Sequence, residues 1–133
     1  MKEKFSKRVQ SIIKQSKEEA IELGHSYVGS EHILLGLLKV NSGKGKKILD
    51  IFNININEMI NSINTRIKTS GGTLNLGHLP LTRRAERILR NSYNEASSRG
   101  DSISDDIHLL LAMLKEPEGI ASRVLKSFSL DYE

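Results

Sequence analysis

The sequence contains no cysteine and no tryptophan, and it has only two prolines among its 133 residues. Without cysteine, the chain offers no disulfide, no thiolate metal ligand and no cysteine nucleophile. Long apolar runs are also missing: no stretch approaches the roughly 20 residues that cross a bilayer, and the first residues lack a signal-peptide core of about 7–15 apolar residues. We therefore expect a cytoplasmic protein without a membrane-spanning segment.

Charge and aromatic content are both modest. Twenty basic and 16 acidic residues give a net charge of +4, and the three Phe and three Tyr are not interleaved with the basic residues. This composition permits an anionic partner but does not indicate nucleic-acid binding. With 38% hydrophobic residues and little of the alternation that predicts strands, the chain from 1 to 133 is expected to form one all-α domain.

Apolar residues recur at helical spacing along most of the chain. In the first half the pattern predicts helices at 7–23, 31–40, 46–52 and 58–67, with Ser6 and Ser30 as N-cap candidates. Residues 53–57 alternate Asn with Ile, which we interpret as a turn into the fourth helix rather than a strand. The glycine-rich stretch 69–80 is the predicted linker.

After the linker the first half is repeated at an offset of 76 residues, without a gap. Matching pairs include Ser6 and Thr82, Arg8 and Arg84, Gly24 and Gly100, His32 and His108, and Leu34 and Leu110. Below, two residues related by this offset are called counterparts. The pattern predicts two tandem helical repeats, 5–68 and 81–130, packed with pseudo-twofold symmetry into about seven to eight helices with the leucine-rich helices at the centre.

The start of the first leucine-rich helix has the strongest candidates for ligand-binding groups. As an N-cap, Ser30 would leave free amide groups and the positive end of the helix dipole facing outward, an arrangement suited to phosphate. Glu31 adds a carboxylate that can hold a guanidinium or ammonium group. In the second repeat Asp105, Asp106 and Ile107 stand at the counterparts of Gly29, Ser30 and Glu31. Asp106 would still cap the helix, but the site would be degenerate. The alternative is that both helix starts are purely architectural.

Histidines and serines offer two other kinds of site, which the pattern does not favour. His32, His108, His25 and His78 are the candidate metal ligands, but no histidine pair at four-residue helical spacing and no clustered carboxylate accompanies them. The serines lack the glycine-rich turn of a nucleophile elbow. We expect structural histidines beside the helix N-termini, no metal and no catalytic residue.

Arginines open the second repeat. Arg83, Arg84 and Arg87 make its first helix basic, and we expect Leu81 and the chain start around Phe5 to lie near this helix, between the two halves. These five residues predict a mixed apolar and basic groove for an adaptor or peptide, with a solvated helix face as the alternative.

Several stretches resemble the N-terminal repeat domain of Clp unfoldases, closest to the ClpC type. They are FSKR at 5–8, LGH at 23–25, above all GSEHILLGLL at 29–38, and LTRRA at 81–85 for the second repeat. The resemblance covers nearly the whole chain. It implies a domain that receives substrate and adaptor proteins for an ATP-driven unfoldase ring with a Clp peptidase, and that is itself a monomer when isolated.

The resemblance also implies a ligand. In ClpC-type domains such helix starts receive phosphorylated arginine, which maps here onto Val28, Gly29, Ser30 and Glu31. The chain has no Gly-x-x-x-x-Gly-Lys-[Ser/Thr] motif, so ATP is expected only in ATPase domains outside it, and no cofactor is expected within it. The alternative function is a purely structural repeat domain that binds only a protein adaptor through its surface groove.

Overall fold

The computed structural model describes residues 5–40, 43–67, 80–117, 119–128 and 130. These residues form seven α-helices and no β-strand, which confirms the all-α prediction. The helices are α1 (Lys7–Glu22), α2 (Ser30–Val40), α3 (Lys44–Ile51), α4 (Ile56–Arg66), α5 (Arg83–Ser98), α6 (Asp106–Lys115) and α7 (Ile120–Ser127). The predicted linker 69–80 lies outside the described residues except for Pro80.

The N-caps of the two long helices are counterparts. Ser6 Oγ accepts the N–H of Val9 at 3.1 Å, and Thr82 Oγ1 accepts the N–H of Ala85 at 3.1 Å. Such caps satisfy amide groups that the first turn leaves without a helical partner. The same kind of N-cap side chain therefore precedes α1 and α5, which begin at the predicted residues.

Two helices begin earlier than the periodicity predicts. The helix α3 begins at Lys44 rather than at 46, and α4 begins at Ile56 rather than at 58. At α4 the reason is the Asn55 side chain, which accepts the N–H of Glu58 at 3.0 Å and so caps the helix. The Asn and Ile alternation is thus a turn and a cap, as expected, and not a strand.

Two reciprocal junctions join the halves. The N–H of Ser6 donates to the carbonyl of Ser104 at 2.8 Å, and the N–H of Thr82 donates to the carbonyl of Val28 at 2.9 Å. Ser6 and Thr82 are counterparts, and so are Ser104 and Val28. In each bond one half supplies the donor and the other half the acceptor, which confirms the predicted pseudo-twofold arrangement.

The leucine-rich helices α2 and α6 lie at the centre of the core, as predicted. Nine of the eleven residues of α2 and seven of the ten of α6 are buried. Each central helix packs on the long helix of its own half and also contacts the other half: α2 meets α5 and α7, and α6 meets α1 and α3. The core is therefore shared, which a half of this size needs in order to bury enough apolar surface.

Gly36 marks the closest approach of α1 and α2. A Cβ atom on Gly36 would lie 2.6 Å from Ser16 Oγ and 2.7 Å from the carbonyl oxygen of Ile12. Alanine is favoured over glycine in helices by about 1 kcal/mol, yet we expect Gly36→Ala to lower the free energy of unfolding by roughly 2 kcal/mol, because overpacking forces the helices apart. Urea denaturation measures the change.

The counterpart of Gly36 is Ala112, which is buried in α6. The reverse change, Ala112→Gly, is the matched variant, and it should also destabilise the domain because it removes a packed methyl and lowers helix propensity. Each half is thus expected to tolerate only its own residue. A Gly36→Ala domain as stable as the parent would contradict the tight contact between α1 and α2.

Candidate functional site

The start of α2 is organised around Gly29. Its carbonyl oxygen accepts the N–H groups of His32 at 3.1 Å and Ile33 at 3.2 Å, so Gly29 occupies the N-cap position and Ser30 is the first helical residue. The prediction of Ser30 as N-cap was wrong. Since glycine has no capping side chain, the imidazole of His32 reaches back instead, and its Nδ1 accepts the N–H of Gly29 at 2.8 Å.

The start of α6 shows the same arrangement with a stronger cap. Asp105 is the N-cap and Asp106 is the first helical residue, so the prediction of Asp106 as the cap was also wrong. Nδ1 of His108 accepts the N–H of Asp105 at 2.9 Å. Both histidines therefore have the structural role that was predicted, and each is the third residue of its helix.

A cluster of rings lies behind the start of α2. Because Nδ1 of His32 accepts a backbone N–H, neutral His32 carries its proton on Nε2, which donates to Nδ1 of His25 at 2.8 Å. The Tyr27 ring stacks on His25, with ring centroids 5.3 Å apart. Burial, and to a smaller extent His25, lower the pKa of His32 to about 4. His78, the fourth candidate ligand, lies outside the described residues.

Glu31 is the unusual residue of the site. Its side chain folds back over Gly29, where a Cβ atom would collide with the carboxylate and come within 3.0 Å of Cδ. The residue is only 9% exposed, and its carboxylate has no hydrogen bond or ion pair among the described residues. Neither carboxylate oxygen is among the fully buried polar atoms without a partner, so the carboxylate still reaches solvent at the edge of the site, where it can bind a cation.

The backbone of Val28 is already committed. Its N–H donates to the carbonyl of Pro80 and its carbonyl accepts the N–H of Thr82, both at 2.9 Å, while its side chain is fully buried. Val28 therefore joins the halves, and its backbone has only the second lone pair of its carbonyl oxygen left for a ligand. The polar groups that remain for a ligand are the carboxylate of Glu31 and the backbone N–H groups at the start of α2.

A cluster of charges from the second half lies beside this helix start. The carboxylate of Glu116 is buried, and both of its oxygens accept a hydrogen bond from the Nε–H of Arg87, at 3.0 and 3.1 Å. These hydrogen bonds raise the pKa of Arg87. Nε of Arg84 lies 3.7 Å from the same carboxylate. Sequence reasoning missed Glu116, because its counterpart is Val40 and no repeat pattern marks it.

Carboxylates fill the start of α6. Asp105 accepts two hydrogen bonds from Arg8, at 2.8 and 2.9 Å, and one from Ser6 at 2.9 Å. Burial raises the pKa of Asp105, but the hydrogen bonds from the Asp106 amide, Arg8 and Ser6 outweigh it and lower the pKa. Asp106 accepts the N–H of Gly45 at 2.8 Å, and burial raises its pKa. Amide and guanidinium donors here already have anionic partners.

Comparisons with known proteins agree with this architecture. Residues 4–128 match the family described as "Clp repeat (R) N-terminal domain". The chain belongs to this Clp N-domain family. It is 37% identical over 131 residues to the chloroplastic chaperone protein ClpC1 of Oryza sativa, and the match covers 98% of this chain and 14% of that relative. The chain therefore spans about a seventh of the length of that relative.

Solved structures of other Clp N domains have the same fold. The N-terminal domain of ClpD from Arabidopsis thaliana superposes with a TM-score of 0.76 at 19% identity, covering 98% of this chain and 88% of that one. The Hsp104 N-terminal domain from Candida albicans gives a TM-score of 0.80 at 17% identity, covering 98% and 85%. The repeat resemblance and the fold class are thereby confirmed.

The predicted groove of this Clp N domain is not one surface. Phe5 is only 7% exposed and pairs with Ser104, whereas half-buried Leu81 pairs with Val28 at the other junction. Their grouping was wrong because the repeat places the two apolar residues at opposite junctions. Arg83 is exposed, but the guanidinium of Arg87 is bound to Glu116. What remains is a basic face of α5.

Within the described part of this Clp N domain, no group of three or more histidine, cysteine, aspartate or glutamate side chains is arranged to hold a metal ion. Among the same residues, no helix is long and apolar enough to cross a membrane.

Proposed function

We propose that this Clp N domain is a non-catalytic recognition domain that binds substrate and adaptor proteins for an ATP-driven Clp unfoldase, and that the start of α2 binds phosphorylated arginine on them. The observation that carries the ligand proposal is the carboxylate of Glu31, a residue only 9% exposed, which has no hydrogen bond or ion pair among the described residues and lies beside the amino end of α2. A cytoplasmic location and a Clp peptidase partner belong to the same proposal.

The chemistry of the ligand follows from these two features. A helix N-terminus presents amide groups and a positive dipole, which favour a phosphoryl group. A buried carboxylate favours a guanidinium, which can form two parallel hydrogen bonds with it. Phosphorylated arginine carries both groups on one side chain. Phosphoserine lacks the cation and unmodified arginine lacks the anion, so each would satisfy only one part of the site.

The second helix start is proposed not to bind this ligand. Asp105 and Asp106 place two carboxylates where a phosphoryl group would lie, and the cation partner Glu31 is replaced by half-buried Ile107. Like charges in one site repel each other strongly. We therefore expect one ligand per chain, although the fold is repeated.

Isothermal titration calorimetry with free phosphoarginine tests the proposal. We expect binding with a stoichiometry of one, and binding of arginine and of inorganic phosphate that is weaker by at least about tenfold, because each makes only one of the two charge-assisted contacts. The absence of phosphoarginine binding would refute the ligand. Two equivalent sites would refute the proposed inactivity of the second helix start.

The alternative function, adaptor binding through the surface alone, is favoured by one observation: Arg83 and Arg90 are exposed on α5. Charge reversal at both, Arg83→Glu with Arg90→Glu, should abolish capture of an adaptor if this face binds it, because like charges across an interface repel. Retention of phosphoarginine binding by the same variant would show that the two functions are separate.

A further inference from the structure

The carboxylate of Asp106 lies between the starts of two helices. Asp106 is the first residue of α6, and its Oδ2 accepts the N–H of Gly45, the second residue of α3, at 2.8 Å. A Cβ atom on Gly43, which precedes α3, would lie 2.7 Å from each carboxylate oxygen. Backbone N–H groups in the first turn of a helix have no helical partner. An anionic group from α6 therefore supplies a partner that the first turn of α3 needs.

The starts of α2 and α7 meet in the same way, but without an anionic side chain at the counterpart position. A Cβ atom on Gly119, which precedes α7, would lie 3.4 Å from Ser30 Oγ at the start of α2 and 2.7 Å from Cδ of Arg84. Ser30 is shorter than an aspartate and uncharged, and among the described residues it makes no hydrogen bond with α7. The counterparts at the two junctions are Asp106 and Ser30, Gly45 and Ala121, and Gly43 and Gly119.

Two donors in the first turn of α7 have no partner among the described residues. The N–H of Ala121, a residue only 1% exposed, makes no hydrogen bond there, and Gly119 supplies no capping side chain. The hydroxyl of Ser122 is fully buried and also without a partner. Ser122 follows Gly119 by three residues, so the two lie on the same side of the first turn. Since buried donors nearly always have a partner, this turn lacks an acceptor.

We propose that the phosphoryl group of the ligand lies between α2 and α7 as the Asp106 carboxylate lies between α6 and α3, and that it accepts the N–H of Ala121. This inference rests on the proposed function and deepens it, because the ligand site is then built by both repeats. The carboxylate of Glu31, which has no partner among the described residues, independently indicates that a ligand binds at this helix start.

A phosphoryl group suits this junction better than a single carboxylate does. It has three strong acceptor oxygens, so it can accept N–H groups of α2 and of α7 at the same time. The positive ends of two helix dipoles also meet here, and each favours an anion. Binding would therefore fasten the start of α7 to the start of α2, as Asp106 already fastens α3 to α6.

Proton–nitrogen correlation NMR of the isotope-labelled domain tests the inference with phosphoarginine and arginine as probes. On saturation with phosphoarginine, the amide proton of Ala121 should move downfield, because a charge-assisted hydrogen bond is short and draws the proton toward the acceptor. Arginine lacks the phosphoryl group and should leave this proton in place. The amide of Gly45 is the internal control, since it already donates to Asp106 and should not move with either probe.

Ser30→Asp gives α2 the residue that α6 has at the same position. Its carboxylate should accept the N–H of Ala121, so the amide proton of Ala121 should move downfield without any ligand. Phosphoarginine binding should weaken by at least about tenfold, because two anions would compete for one place, whereas arginine binding should not weaken. Calorimetry measures both affinities, and thermal unfolding shows whether the variant is folded.

The outcomes separate the inference from the proposed function. If phosphoarginine binds but leaves the Ala121 amide proton in place, or if folded Ser30→Asp binds it as tightly as the parent, the inference is wrong. If arginine moves the Ala121 proton as far as phosphoarginine does, the phosphoryl group is not the acceptor, which also overturns the inference. If the parent does not bind phosphoarginine, the proposed ligand itself is wrong. The spectra of the parent decide the inference even if Ser30→Asp does not fold.

Discussion

Glu31→Gln is expected to weaken phosphoarginine binding by roughly 10- to 100-fold, because the guanidinium of the ligand would lose its charge-assisted contact with the carboxylate. The free domain should be affected little. Its stability is expected to change by less than about 1 kcal/mol, since the carboxylate makes no hydrogen bond or ion pair among the described residues and only its interaction with the helix dipole is lost. A binding defect without a folding defect would mark Glu31 as a ligand contact.

A matched control for this variant lies in α4. Glu58 is also an acidic residue in the first turn of a helix, but it is exposed and remote from the start of α2 in sequence. Glu58→Gln removes the same charge from the first turn of another helix, so it should leave phosphoarginine binding unchanged. Calorimetry on the parent and both variants makes the comparison. Equal affinities for the parent and Glu31→Gln would show that the Glu31 carboxylate does not bind the ligand.

The fold was largely predictable because its signals are local and occur twice. Ser6 and Thr82 are short polar side chains placed just before an apolar periodic segment, and that pattern alone predicts where α1 and α5 begin. The match between the halves then predicts that they pack as a symmetric pair. The pairing of Ser6 with Ser104 and of Thr82 with Val28 was not predictable, since backbone hydrogen bonds between distant residues leave no mark in a single sequence.

The site was predicted only in part, because its decisive features depend on side chains reaching across elements. Sequence placed the caps at Ser30 and Asp106, whereas the chain turns one residue earlier and His32 and His108 bond back to the cap. Residue type alone predicted a cation-binding role for Glu31, but not the low exposure of its side chain. Glu116 and the approach of Arg84 to the start of α2 required the packing of the second half, which no local pattern reports.

Acid should destabilise the domain through His32. Its pKa falls from 6.5 to about 4 in the folded protein, so between these values the unfolded state binds a proton that the folded state does not. The free energy of unfolding should therefore rise with pH through this window, and His32 alone should account for about 3 kcal/mol of the change. Burial is the main cause of the lowered pKa. Protonation would also place an N–H on Nδ1 opposite the N–H of Gly29, so the hydrogen bond between them would be lost.

His32→Asn isolates this contribution, because the amide oxygen of asparagine can still accept the N–H of Gly29 but does not titrate. Urea denaturation at pH 7 and pH 4.5 should show that the stability difference between parent and variant shrinks by about 2 to 3 kcal/mol at the lower pH, where the parent loses the advantage of a neutral imidazole. Other groups, such as Asp105 beside Arg8, also respond to acid, but they do so equally in both proteins. If parent and variant lose stability in parallel between pH 7 and pH 4.5, then His32 is not held neutral and the buried imidazole pair with His25 does not explain the acid sensitivity.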